Sequence, residues 1–325
     1  MTYLTFGELQ RRLLELFRDE NYEAVRELAA EQIASFPEQF HILAYWQMIA
    51  ATRQKEYPAA LQVIRKLLER GFWFGEAVLL NSQSLQPLQE LPEFNRLVEA
   101  SRALRLQSEK ESFPLIILRQ QDRCQKGSPP CPLMIALHTD GGSIQDSLDF
   151  WKPAAAEGWI AAAPESSQVM WKGAYIWKDH AIAAQDIQRH FSALVSQYAI
   201  DENRVVLAGH SLGGETAAWL ALTGEIPVQG FIAFNPAGPL VEDPEIWQDL
   251  YLRAAQRGLR GYIIVGEEDE ELPQENIRLL VDLLNEAGIP AELESVAHAG
   301  NDYDPVYDDS LLRALEFIFP QSAEG

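Results

Sequence analysis

The residues best suited to chemistry in this 325-residue chain are Gly209-His210-Ser211-Leu212-Gly213. A serine hydroxyl is a poor nucleophile at neutral pH. It reacts when a base takes its proton, an acid orients that base, and fixed N–H groups receive the negative charge that develops. The flanking residues supply a setting for this. Val205-Val206-Leu207-Ala208 has the continuous apolar character of a strand buried on both faces, and residues 215–222 read as a helix. A serine between them sits on a turn so sharp that side chains at 209 and 213 would strike neighbouring backbone, which accounts for glycine at both. The N–H of Leu212, at the positive end of the following helix, is one candidate oxyanion donor.

A base and an acid must be found elsewhere. Tyr262-Ile263-Ile264-Val265-Gly266 reads as a further strand, and Glu267-Glu268-Asp269-Glu270-Glu271 follows it. Most of these five carboxylates belong to a solvated loop, but one shielded from water could orient an imidazole. Of the six histidines, His41 falls in a helical region, and His180 and His190 fall in a long helix. His210 belongs to the serine turn and should point away beneath it. His138 ends a core strand and is better placed to prop the loop that follows. His298 lies on a loop between the last strand and the last helix.

These motifs carry a family resemblance. His138-Thr139-Asp140-Gly141-Gly142, Pro164-Glu165-Ser166-Ser167-Gln168, Gly209–Gly214, Gly266-Glu267-Glu268-Asp269 and His298 resemble the serine α/β-hydrolases of the carboxylesterase, phospholipase/carboxylesterase and dienelactone-hydrolase-like group, over about residues 110 to 320. The resemblance implies an α/β-hydrolase fold with nucleophile, acid and histidine in that order. The expected triad is then Ser211, Asp269 and His298, with Glu268 as the alternative acid. The expected oxyanion donors are the N–H groups of Leu212 and Asp140. Thr139 stands where relatives often have glycine. Dienelactone hydrolases proper use a cysteine nucleophile, so Ser211 does not imply their activity. What is implied is cleavage of a small carboxylic ester through an acyl-enzyme, without cofactor or metal. A peptidase of the prolyl-oligopeptidase type shares the sheet and triad but usually carries a propeller, which has no counterpart here. A silent adaptor is the third reading, and a complete triad argues against it.

The elements that must position these groups occupy two segments. Residues 1–107 read as helices only, and residues 108–325 alternate strands with helices, which predicts a mostly parallel sheet covered on both faces. Within the first segment, Asn21-Tyr22-Glu23-Ala24-Val25 resembles Glu56-Tyr57-Pro58-Ala59-Ala60, with the tyrosines 35 positions apart. That spacing resembles a short tetratricopeptide-like unit, whose role could be a protein partner or self-association. Trp171, Tyr175 and Trp177 lie on a loop after a strand and are candidates for a substrate pocket. The composition, 47% hydrophobic and 23% charged, is that of a globular protein, and a net charge of −22 speaks against nucleic acid or anionic membrane as a partner. No apolar run is long enough to span a membrane, and no His/Cys cluster suits zinc. With no export signal visible at the start, the expectation is a cytoplasmic protein in which Cys124 and Cys131 are free thiols.

Overall fold

A computed structural model describes residues 5–37, 39–108, 114–120, 123–269 and 272–320. The chain divides into two compact units, one of Met1–Glu111 with Val169–Lys172 and one of Ser112–Gln168 with Gly173–Gly325. In the first, α1 (Phe6–Arg18), α2 (Tyr22–Gln32), α3 (Phe40–Arg53) and α4 (Tyr57–Glu69) are followed by α5 (Glu76–Asn81), a 3-10 turn over Gln83–Leu88 and α6 (Pro92–Ser108). Thr5 and Glu8 close a reciprocal capping box on α1, and Asn21 caps α2 through the Ala24 N–H. Tyr22 and Tyr57 open α2 and α4, so each of the two similar stretches begins a helix. α3 is apolar on nearly every face and packs on both α2 and α4, which leaves Leu43, Met48 and Ala50 without solvent exposure.

The segment Val169–Lys172 groups with these helices because Gly75 lets it come close. The Gly75 N–H donates to the Met170 carbonyl, and a Cβ at position 75 would lie 1.6 Å from the Val169 oxygen. Trp171 packs edge-on against Phe74 in the same unit.

The second unit is built on β1 (Leu115–Leu118), β2 (Cys131–Leu137), β3 (Ile160–Pro164), β6 (Ile200–His210), β7 (Gly230–Phe234), β8 (Arg260–Gly266) and β9 (Ala291–Val296); β4 (Val169–Trp171) and β5 (Ala174–Tyr175) are short strands outside this sheet. The order is β1-β3-β2-β6-β7-β8-β9, parallel throughout except for β1, which runs antiparallel to β3. The apolar run from Phe113 to Leu118 predicts a strand, and of this run Phe113 lies outside the described residues. β6 begins at Ile200, before the run read from the sequence, because its exposed polar stretch at Glu202–Arg204 masks the pattern. Alternate residues of β2 go to opposite faces, as strand geometry requires. Leu133, Ile135 and Leu137 join one core with residues of α8 (His180–Gln197), α9 (Leu212–Thr223) and the helix Gln274–Glu286. Met134 and Ala136 join the other with Phe150 and Trp151 of α7 (Ile144–Ala156) and Leu311 of the helix Tyr307–Ile318. Pairing of His210 with Phe234 and of Gly266 with Val296 aligns the strand ends, so the loops that follow them emerge at one edge. No helix among the described residues is long and apolar enough to cross a membrane.

The expectation of free thiols is overturned: Cys124 and Cys131 form a disulfide, with Cα atoms 5.4 Å apart. Compartment reasoning favoured thiols, whereas the chain geometry brings the two together. The Cys124 carbonyl accepts from the Ala199 N–H, and the Cys131 N–H donates to the Ala199 carbonyl, so one residue holds both. Closing so short a loop should stabilise the unit by roughly 2 kcal/mol. Replacing both cysteines by alanine should lower the urea midpoint accordingly, and reductant should then have no further effect; equal midpoints for the oxidised protein and the double variant would refute the bridge's contribution.

Candidate active site

Ser211 caps α9 with φ 55° and ψ −125°, backbone angles that a non-glycine residue holds only under constraint. The constraint is on both sides. Its N–H donates to the Phe234 carbonyl at 2.8 Å, and its carbonyl accepts from Glu215 at 3.1 Å and Ala237 at 3.3 Å. A Cβ at 209 would come 2.2 Å from the Gly213 oxygen, and one at 213 would come 2.2 Å from the His138 oxygen. α9 begins at Leu212, three residues before the start read from the sequence, and its first N–H groups have no partner within the helix.

Glu215, which the sequence marks only as a helix residue, is completely buried. Its carboxylate meets His180 Nε2 at 2.9 Å and accepts from the Leu240 N–H at 3.1 Å, so it fastens the first turn of α9 to two other elements. A carboxylate here also complements the positive end of the helix.

The loop after β2 is held from beneath by His138, which has no solvent exposure. His138 Nε2 accepts from the Ser166 N–H at 3.2 Å, so Nδ1 carries the proton and donates to the Thr139 carbonyl at 2.7 Å. Burial pushes the imidazole down to about 4, against a smaller upward pull from the Thr139 hydrogen bond and from Asp140 and Asp146. The ring is therefore neutral, and Glu165 at 3.9 Å forms no ion pair with it; Glu165 Oε1 instead accepts from Ile144 N–H at the start of α7. Thr139 fits where glycine was expected because the left-handed angle falls on Gly141, with φ 68°. Gly141 donates to the Tyr175 carbonyl and Gly142 accepts from the Tyr175 N–H, both at 2.9 Å.

Asp140 is brought to the serine, through its side chain: Ser211 Oγ donates to Asp140 Oδ1 at 3.2 Å. His298 lies on the loop after β9 with φ 61°, its side chain 93% exposed, and no hydrogen bond joins it to Ser211 among the described residues. Its Nδ1 stands 3.5 Å from Glu268 Oε1, and that carboxylate is itself 63% exposed. Asp269 is the shielded acid of the pair at 9% exposure, close enough to Tyr307 to add to the upward push that burial gives the phenol. The two loops are knitted by their backbones, since Glu267 donates to Val296 and Glu268 to Ala299.

Two residues that pattern reading passed over secure the His298 loop. Asn235, fully buried with φ 42°, accepts from Gly266 N–H at 2.8 Å and donates to the Gly300 carbonyl at 3.0 Å. Asn301 bonds His210 Nε2 at 2.9 Å, while the His210 ring stacks on Phe150. Burial lowers the His210 pKa more than the Asn301 bond raises it. An asparagine directly after the strand following the elbow was the available signal for Asn235.

The three aromatic candidates part company. Trp177 is completely buried, tilted against His138 at 5.1 Å, and its carbonyl accepts from Thr216 Oγ1. Tyr175 is half-buried and supports the β2 loop through its backbone. Trp171 belongs to the helical unit. No cluster of three or more metal-binding side chains occurs among the described residues.

Sheet order, helices on both faces and a serine on a strand-to-helix elbow together define an α/β-hydrolase fold, preceded by a helical unit. Solved structures agree. A protein assigned as a dienelactone hydrolase from Klebsiella pneumoniae subsp. pneumoniae MGH 78578 aligns over 65% of this chain and 94% of its own, with a TM-score of 0.52 and 18% identity. An uncharacterized protein from Bacillus cereus ATCC 10987 aligns over 98% of this chain and all of its own, with a TM-score of 0.54 and 22% identity. No protein-family model and no curated protein matches the sequence.

The neutral state of His138 has a stability consequence. Above the ordinary histidine range both folded and unfolded chains are uncharged there. As pH falls from about 6.5 toward about 4 the unfolded chain takes the proton first, so stability is lost. Between pH 7 and 5 this should remove roughly 2 kcal/mol. The pH dependence of the urea midpoint should be shallower in His138→Gln than in the wild type; parallel curves would show that burial of this ring is not the source.

Proposed function

We propose that the protein is a serine hydrolase that cleaves small carboxylic esters through an acyl-enzyme. Ser211 attacks the carbonyl, His298 takes its proton and returns it to the leaving alcohol, and the N–H groups of Leu212 and Asp140 receive the oxyanion. A second water-derived attack, aided by the same imidazole, releases the acid. The observation that carries this reading is the left-handed Ser211 between β6 and α9, held by glycines that leave room for nothing else. The activity is assigned to the unit that begins near residue 108, and a cytoplasmic setting would require the Cys124–Cys131 bridge to persist among reducing thiols.

Catalysis requires Ser211 to exchange its Asp140 partner for His298. Both are side chains near solvent, so the exchange costs little, and catalytic hydrogen bonds commonly tighten only once substrate is bound. The Ser211–Asp140 bond also favours a second reading, a silent site whose serine is never deprotonated. A fluorophosphonate probe separates the two. It should label the wild type and not Ser211→Ala, and turnover of p-nitrophenyl butyrate should fall by about three orders of magnitude or more in Ser211→Ala and His298→Ala. Equal labelling of wild type and Ser211→Ala would sink the proposal.

The acid is Asp269, which has the shielding that an orienting carboxylate needs, while Glu268 pairs with His298 only as two exposed groups do, weakly. Asp269→Asn should therefore lower kcat by about a hundredfold or more and Glu268→Gln by less than about threefold; the reverse order would move the role to Glu268.

The Asp140 carboxylate beside the nucleophile disfavours anionic acyl groups. One charge at this range is worth about 1 kcal/mol in a wet site, roughly fivefold. The kcat/KM for p-nitrophenyl hemisuccinate relative to p-nitrophenyl butyrate should rise by about that factor in Asp140→Asn, and an unchanged ratio would remove Asp140 from substrate selection.

A further inference from the structure

The helical unit contains a pocket of about 410 Å³, within the size range of small-molecule sites. Its walls are flat rings and cations. Phe72, Trp73 and Trp171 line it with His41, Arg70 and Lys172, and no carboxylate does among the described residues. In a chain with 48 acidic and 26 basic side chains, a pocket lined by uncompensated positive charge is unusual. Neither Arg70 nor Lys172 forms an ion pair among the described residues. The Arg70 guanidinium instead lies 4.2 Å from the centroid of the Phe40 ring, which fixes its position without neutralising it.

The rings define the shape. His41 stacks on Phe72 with centroids 5.8 Å apart and planes 20° from parallel, and it meets Trp171 at 5.4 Å. Burial lowers the His41 pKa, and its Nδ1 is buried with no hydrogen-bond partner. His41 therefore serves as a neutral flat wall, and the charge of the pocket comes from Arg70 and Lys172. Trp73 is 4% exposed, so its indole is packed in place. Flat, fixed aromatic walls favour a flat ligand, because stacking on a ring already held in place needs no reorganisation. A free guanidinium fork beside an ammonium favours an anion, above all a planar carboxylate that the fork can hold by two hydrogen bonds.

We propose that this pocket binds a small planar aromatic anion, of which an aryl carboxylate is the simplest form. The site lies wholly within the helical unit and is independent of the hydrolase reading. Isothermal titration of the full-length protein with 2-naphthoate, and with 2-naphthamide as its uncharged counterpart, tests it. The proposal expects saturable one-site binding of 2-naphthoate, with 2-naphthamide weaker by about tenfold or more, as for a lost charge-assisted contact. The Arg70→Gln/Lys172→Gln variant should lose that discrimination by weakening 2-naphthoate alone, and Trp171→Ala should weaken both compounds. Ser211→Ala should bind as the wild type does, so loss of the esterase reading would leave this result standing. The proposal is overturned if 2-naphthoate does not bind saturably, if both compounds bind equally well, or if the charge variant, with circular dichroism and melting like the wild type, binds 2-naphthoate unchanged.

Discussion

The backbone of Ser211 occupies a region that costs on the order of 1–3 kcal/mol, and the edge of the sheet is arranged so that no relaxation is open to it. Relaxing φ would break the bond to Phe234 at the end of β7 and the two bonds that its carbonyl accepts. Moving α9 outward would relieve the turn, but Glu215 fastens that helix to His180 and to Leu240 from a fully buried position. Moving β6 is blocked by pairing on both sides, with β2 and β7. The strain is thus local while its support comes from several distant parts of the chain, and the outcome is a hydroxyl carried on a rigid frame.

The loops around that frame are irregular, and side chains rather than ladders connect them. Two buried histidines do much of this. His138 joins the loop after β2 to the loop after β3 through Ser166, and His210 joins the elbow to the loop after β9 through Asn301. Each ring is kept neutral by burial, which leaves one nitrogen to donate and the other to accept. Asn235 adds a third link, from the end of β8 to Gly300. A charged group in these places would need a counterion in a region with little water, and a purely apolar one would leave loop backbone unpaired. Neutral amide and imidazole side chains meet both demands.

Legibility in the sequence followed the same division. Strands such as Val205–Ala208 and Tyr262–Gly266 announce themselves, because burial on both faces forces continuous apolar runs. The elbow does so as well, because steric exclusion at Gly209 and Gly213 restricts the residue type directly. Links made by single polar residues leave a fainter trace: Glu215 sits in no periodic pattern, Asn235 shows only by its place directly after a strand, and only the fold reveals that both are buried. Aromatic residues gave a half-signal. Trp171, Tyr175 and Trp177 are all at least half-buried, as their size suggested, but partner choice divides them between the helical core, the support of the β2 loop and the ring of His138. For the cysteine pair, compartment is a property of the cell and says nothing of the chain, in which Ala199 bonds the backbone of both residues.

What is fixed and what is adjustable at the candidate site are separated by burial. The backbone of Ser211, the shielded carboxylate of Asp269 and the histidine posts are all packed or bonded into place, and a change at any of them disturbs several elements at once. The groups that would exchange protons are the opposite. Ser211 Oγ holds Asp140 by one ordinary hydrogen bond, and His298 holds Glu268 across 3.5 Å with both partners exposed to water. Neither contact is worth more than about 1 kcal/mol in such surroundings. An incoming carbonyl that displaces water from around Ser211 strengthens any bond formed to the serine and weakens the case for a carboxylate beside it, since an unpaired charge is the costlier group to desolvate. In the proposed function, an exchange of Asp140 for His298 would thus be tied to substrate entry, and the elbow, already rigid, would need none of that free energy to build the turn.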